Sequence, residues 1–149
     1  MDAAIREARQ GEEGRILPLY EWLFDPPGSR PEQWNPEQAR VSLTEAVLDP
    51  QSAVFVAEEG DELCGFCTAY MELKSVRFGR RCWVEDLAVD PDRRSQGIGA
   101  GLLDAAKEWA RGAGATHLEL DSGIERTDAH RFYDREKPSW KSISFSWEL

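Results

Sequence analysis

The apolar positions change their period along the chain, and the changes mark the elements. Residues 3–9 read as a short first strand, after which Ile16, Leu19, Tyr20, Leu23 and Phe24 recur at helical spacing. Pro26, Pro27, Gly28 and Pro31 cannot continue that helix. A second helix starts at Asn35, whose side chain can accept from the first free backbone N–H groups, with Pro36 in the first helical position and Gln38 placed to complete a capping box. It carries Val41, Leu43, Val47 and Leu48 and stops at Asp49-Pro50. From there the pattern is extended. Ala53–Ala57, Leu63–Leu73 and Cys82–Val89 predict an antiparallel meander, with a polar turn at Glu58–Glu62. A helix from about Gly97 to Arg111 presents Ile98, Leu102, Ala105, Ala106 and Trp109 on one face, and Gly112-Ala113-Gly114 ends it. Thr116–Leu120 predicts a strand, and Thr127 the cap of a helix from Asp128 to Glu136. The alternation Ser142-Ile143-Ser144-Phe145-Ser146-Trp147-Glu148-Leu149 predicts a last strand with one face on a core. Such an order gives a single α+β, or mixed α/β, domain over residues 1–149.

Composition narrows the class. A chain of 149 residues, 41% hydrophobic, is long enough for one core. No apolar run approaches the roughly 18 residues of a membrane-spanning helix. The first residues have neither the basic-then-apolar order of a secretory signal nor a transit composition, so a cytoplasmic location is expected. A net charge of −10 argues against nucleic acid as a partner, because neutralising phosphates needs a basic face. The charge is uneven: residues 1–62 hold 14 acids and 5 bases, net −9, and residues 63–149 hold 14 acids and 13 bases, net −1. Three cysteines are no disulfide framework. Cys64 and Cys67 have CxxC spacing, but in a regular strand they would point to opposite faces, and His117 and His130 form no ligand cluster with them; no metal is expected.

Chemistry concentrates between Glu85 and Leu103. A strand ends, a loop with Arg93, Arg94 and three glycines follows, and a helix begins. Gly97 and Gly99 would let backbone approach a ligand, and the first helical turn offers free N–H groups at the positive end of the helix dipole, so the natural guest is a pyrophosphate, with Arg93 and Arg94 adding charge. A dinucleotide fingerprint would follow its strand directly, whereas Gly97 stands eight residues beyond Val89, and no phosphate-binding GxxxxGK[ST] is present.

Arg94-x-x-Gly97-x-Gly99, preceded by Leu87-x-Val89 and followed later by Ala129-His130-Arg131-Phe132-Tyr133, resembles the GNAT superfamily of acyl-coenzyme A-dependent N-acyltransferases. The resemblance covers residues 53–149 well and implies a mixed, mostly antiparallel central sheet of six to seven strands flanked by about four helices. Residues 1–52 would form a helical acceptor-side region and 53–149 the cofactor-binding core. The segment from Asp128 to Phe145 is similar to the aminoalkylphosphonate acetyltransferase branch.

By the same resemblance, backbone groups of Leu87 and Val89 would hold the pantetheine arm, and Arg94, Ser95, Gln96, Gly97, Ile98, Gly99 and Ala100 would wrap the pyrophosphate of acetyl-coenzyme A, used as co-substrate. Tyr133 would be the acid that protonates the leaving thiolate. An alkylammonium of pKa about 10.4 is almost fully charged at pH 7, and presenting it neutral costs roughly 4–5 kcal/mol unless a base takes the proton. Glu85 is the first candidate for that base. Asp86 beside it would point to the other face unless a bulge intervenes. No cysteine sits in the motifs, which favours direct attack in a ternary complex.

Two departures from the family pattern stand out. Lys137 and Pro138 replace its usual Gly-aromatic pair, and Arg126 stands where many members have Asn. The expected activity is acetylation of a primary amine on a small, cationic molecule, with a homodimer possible. The competing expectations are a non-catalytic coenzyme A-binding or regulatory domain and a protein or peptide N-acetyltransferase. The bulk between Asp25 and Trp34 favours a closed small-molecule pocket, and the net −9 of residues 1–62 suggests that their acids attract the acceptor.

Overall fold

In the computed structural model, which describes residues 3–72 and 74–149, five strands form one sheet in the order β1-β2-β3-β4-β5. They are β1 (Ala4–Glu7), β2 (Ser52–Glu59), β3 (Glu62–Met71), β4 (Arg81–Val89) and β5 (His117–Glu119). The first four run antiparallel; β5 pairs with β4 in parallel, as a strand returning through a crossover helix must. Leu73, expected as the last residue of a strand, lies outside the described residues.

Helices cover both faces. On one side lie α1 (Glu13–Ile16), α2 (Glu21–Phe24) and α3 (Pro36–Leu48). The first helix expected from the sequence is broken: Pro18 has no N–H to donate, and Leu17–Tyr20 tightens into a 3-10 turn between α1 and α2. Asn35 caps α3 as its residue type demands, accepting from the N–H groups of Glu37 and Gln38. Of the apolar residues assigned to α3, Leu43 is buried while Val41 and Leu48 face solvent. Ile16 and Leu43 pack with Val54, Val56, Phe66 and Ala88 on this side of the sheet.

On the other side lies α4 (Ile98–Gly112), whose Ile98, Leu102, Ala106 and Ala110 pack on Ala53, Phe55, Cys67, Ala69, Cys82 and Val84. Its first turns come so close to the sheet that a Cβ on Gly65 would stand 3.0 Å from Leu102 and 3.1 Å from Ile98. The last helix, α5 (Thr127–Arg135), starts one residue earlier than expected. Its cap position is Arg126, without a side-chain capping bond, and Thr127 is already helical.

Two bulges reset the pleat. In β3 the register slips after Ala57↔Gly65 to Glu58↔Leu63, so Cys64 is the extra residue. This corrects the CxxC expectation: Cys64 and Cys67 are buried in the same α4-side cluster, and both are free thiols. Burial pushes the Cys67 thiol up to about 12 and Cys82 up to about 11, which leaves them protonated and unreactive at neutral pH. In β4 the register passes from Thr68↔Asp86 to Ala69↔Val84, so Glu85 is the extra residue there.

The sheet has five strands where six to seven were expected. Ser142–Leu149 is extended in pattern but forms no strand. Ile143, Phe145 and Trp147 are 74–80% exposed, so within one copy this segment covers no core.

Candidate active site

β4 and β5 share only three register positions, Arg81↔His117 to Trp83↔Glu119. Beyond Trp83, β4 runs on to Val89 with β3 on one edge and, among the described residues, nothing paired on the other. Asp90 N–H bonds Cys64 C=O at 2.9 Å, so by antiparallel alternation the backbone groups of Leu87 and Val89 point to the open edge. A linear amide-containing ligand can add there as a strand would.

At the end of that edge a tight turn leads into α4. Gly97 caps the helix with φ +80°, and a Cβ there would meet no atom within 4 Å. Ser95 also holds a positive φ, 64°. No side chain caps α4, so its first N–H groups face outward with the helix dipole behind them. Gly99 has a different reason from the one its spacing suggested: the Phe132 ring lies 3.3 Å from where its Cβ would be, so it admits α5 rather than a ligand. The two sequence motifs therefore meet in space. Ile98 turns its side chain into the core, and only its backbone is left for the turn. Arg94, Ser95 and Gln96 are exposed, and Ala100 is half-buried.

Arg93 is not available to an anion. It pairs with Asp90 at 2.7 Å and Glu62 at 2.8 Å and lies 3.7 Å from Glu59, which overturns the role given to it beside Arg94.

On the opposite face of the sheet, a cavity of about 300 Å³ opens between α3, the 3-10 turn and β3–β4. The β4 bulge brings both Glu85 and Asp86 to its wall, where a regular strand would have shown one of them. Asp86 is the more enclosed. Its Oδ2 accepts from Tyr20 O–H at 2.7 Å and from Thr68 O–H at 3.2 Å, while its own N–H donates to Thr68 Oγ1 at 3.1 Å. Burial pushes its carboxyl above the usual range, against the pull of the bonds from Tyr20 and Thr68. Glu85 is also raised by burial, while Trp83 Nε1, donating at 2.8 Å, pulls the other way.

Aromatic rings and short side chains make the rest of the cavity. Tyr20 packs on Phe66 with ring centroids 4.7 Å apart and stacks with Trp34 at 5.8 Å; Trp34 meets Phe24 edge-on at 4.8 Å. Trp34, Tyr70, Leu43, Ala46, Ser42 and Ser52 also line it. The bulk expected between Asp25 and Trp34 thus reaches the pocket through Trp34. Among the described residues no Lys or Arg lines the cavity, and no acid of residues 12–62 does either. Several of those acids are engaged elsewhere: Glu12 and Glu58 clamp Arg6 and Arg15, and Glu21 pairs with Arg30. The suggestion that the acidity of residues 1–62 attracts the acceptor is therefore withdrawn.

This combination of an open edge on β4, an uncapped α4 behind a glycine turn and a pocket across the sheet fits what the comparisons find. Residues 16–136 match the model of the acetyltransferase (GNAT) family. The chain belongs to the GNAT acetyltransferase family. Among its GNAT relatives, an uncharacterised N-acetyltransferase of Bacillus subtilis is 39% identical over 90 residues, 60% of this chain and 63% of that protein. The aminoalkylphosphonate N-acetyltransferase of Salmonella typhimurium is also 39% identical over 90 residues, 60% of this chain and 58% of that protein. The matched stretch thus spans about three-fifths of either relative. In fold, the chain is like an aminoglycoside N-acetyltransferase solved with coenzyme A, at a TM-score of 0.85 and 16% identity over 99% of this chain and 94% of that one.

In this GNAT domain Tyr133 is half-buried on α5, and burial pushes its phenol up to about 12, with the nearby Arg126 charge opposing. Arg126 itself has been turned to another use. Its guanidinium donates to Leu23 C=O at 3.0 Å and ties the start of α5 to the end of α2. Lys137 sits just past α5 at φ 57°, the left-handed position that glycine takes without cost.

Sequence reasoning missed Tyr20, Thr68 and Trp34. Tyr20 and Trp34 look like ordinary core aromatics. Thr68 left one faint signal, the single aliphatic hydroxyl inside the apolar run Leu63–Met71.

Proposed function

We propose that this protein transfers an acetyl group from acetyl-coenzyme A to the primary amine of a small cationic molecule, by direct attack with both substrates bound. The observation that carries the reading is the bulge at Glu85, which turns two carboxylates of raised pKa into a pocket otherwise lined by aromatic rings and short side chains. The strand that bears them offers the free backbone edge of Leu87 and Val89 to the pantetheine arm. The pyrophosphate would lie on the backbone of Arg94, Ser95, Gln96, Gly97, Ile98, Gly99 and Ala100, with the Arg94 side chain beside it. The α4 end fits an anion because its N–H groups lack a side-chain cap and Gly97 leaves the space in front of it empty.

The chemistry follows from the groups present. The acceptor enters as an ammonium, held by the carboxylates and by the faces of Tyr20, Trp34 and Tyr70. Asp86, with Glu85 beside it, takes the proton directly or through a water. The neutral amine attacks the thioester carbonyl, the C–N bond forms, the C–S bond breaks, and the second proton shed by the nitrogen restores the phenol that protonates the leaving group. Tyr133 supplies the proton for the departing thiolate; a phenol near 12 stays protonated at neutral pH yet bonds a developing anion.

The pocket also sets the acceptor's charge. With two carboxylates and no basic side chain on its walls, it would repel a phosphonate, so the acceptor differs in class from that of the Salmonella relative. Its size and rings make a small molecule the better fit than a peptide chain. The setting is proposed to be cytoplasmic, supported by three buried free cysteines. The homodimer has a separate basis, the apolar segment 140–149.

The test is coenzyme A thiol release over a panel of polyamines, aminoglycosides, aminoalkylphosphonates and amino acids. Release with cationic amines and none with phosphonates is expected. Binding of coenzyme A without release for any amine would move the protein to the non-catalytic reading.

A further inference from the structure

Arg126 is an unexpected residue at the start of a helix. It holds the cap position of α5, where a short polar side chain would accept from the free N–H groups, and it brings a positive charge to the positive end of the helix dipole. Its side chain serves another element instead. Nη2 donates to the Leu23 C=O at 3.0 Å, across 103 residues of sequence, and so joins the helix that bears Tyr133 to the end of α2.

The receiving side is shaped around this contact. Gly28 lies against the same carbonyl: a Cβ there would overlap Leu23 O and stand 2.6 Å from Arg126 Nη2, so only glycine lets the guanidinium and the loop come together. The Gly28 N–H bonds Asp25 C=O at 2.8 Å and closes residues 25–28 into a turn beside it. From that turn the chain runs to Trp34, which meets Phe24 edge-on, stacks on Tyr20 and lines the acceptor pocket. Tyr20 in turn holds Asp86. On the other side of the contact, α5 has no buried residue of its own, so it depends on a few points of attachment. Phe132, seated on Gly99, holds its later part, and Arg126 holds its start. Tyr133 lies about two turns along α5 from Arg126 and is close enough to feel its charge.

We propose that Arg126 is a positioning residue, a latch that fixes the segment Asp25–Trp34 against α5, so that one contact sets both the wall of the acceptor pocket and the place of the Tyr133 phenol. The catalytic consequence rests on the acetyl-transfer reading; the latch itself does not. Breaking it should disturb the amine and the turnover and spare the cofactor, because the β4 edge and the turn before α4 are untouched.

Three measurements test this. Arg126→Met is expected to raise KM for a cationic amine and to lower kcat, each by about tenfold, as misplacement of reacting groups does, with coenzyme A affinity by calorimetry unchanged. Gly28→Ala opens the same contact from the other element and should reproduce that pattern, and the double variant should be no worse than either single one. Hydrogen exchange of Arg126→Met should show faster amides at Gly28, Trp34 and His130, while the α4 amides stay slow and report an intact core. An Arg126→Met enzyme with the KM, kcat and exchange of the wild type overturns the latch. Loss of coenzyme A affinity in that variant overturns it too, since Arg126 would then be a cofactor contact, and so do effects that simply multiply in the double variant. A wild type that releases no thiol with any amine would defeat the acetyl-transfer reading, and the exchange rates alone would then decide the latch, upholding it if the three amides quicken and sinking it if they do not.

Discussion

Asp86 has one oxygen engaged twice and the other without a protein partner among the described residues, which suits a group that must both stay put and receive a proton. Tyr20 is a positioning residue for it. Tyr20→Phe removes a bond to a buried charge and is expected to cost about 1.5–3 kcal/mol in denaturant unfolding. Asp86→Asn should lower kcat at least tenfold, and Glu85→Gln by less, because Glu85 is the more exposed of the pair; the reverse order in steady-state kinetics would exchange their roles. Tyr133→Phe should reduce kcat while leaving coenzyme A affinity by calorimetry unchanged. Equal turnover would remove Tyr133 from the acid role.

The elements show why some of this was legible and some was not. The α4 entrance was readable because its requirement is local: a backbone turn of φ +80° asks for glycine, and Gly97 announces it. Gly97→Trp puts a ring into the empty space before α4 and should abolish coenzyme A binding, with the free protein destabilised by about 1–2 kcal/mol because a bulky residue is held at φ +80°. The exit of α5 is also local. Lys137 holds the left-handed φ at a cost that Lys137→Gly should recover, raising stability by about 1 kcal/mol in thermal or denaturant unfolding. The β4 bulge was not readable, because an extra residue in a ladder depends on what the partner strand does at Thr68. Without it, Glu85 and Asp86 could be placed near the site but not on the same wall. Thr68 and Tyr20 join Asp86 across 18 and 66 residues of sequence, a distance over which no periodicity carries information.

For the whole molecule, the charge of −10 divides into two uses that composition could not separate. The acids of residues 1–62 include a structural clamp, with Glu12 at its centre; its bond from Arg6 holds that carboxyl down to about 2. A depressed carboxyl stabilises the fold above its unfolded value and loses that contribution as pH falls toward 2, so acid unfolding should show a step below about pH 4 that Glu12→Gln removes. Glu85 and Asp86 behave in the opposite sense, since burial raises both and their charged forms cost free energy that only a cationic guest returns. The segment 142–149 is the other case where pattern and structure part: its alternation asks for one dry face, yet Ile143, Phe145 and Trp147 stand exposed.

A carboxylate base raised by its pocket shows itself most directly in the pH dependence of kcat/KM for a cationic amine. The acid limb is expected above the ordinary carboxylate range of about 4. Tyr20→Phe should move this limb further upward, because the lost bond had favoured the charged form of Asp86. An acid limb at the ordinary carboxylate value, identical in the wild type and in Tyr20→Phe, would contradict it.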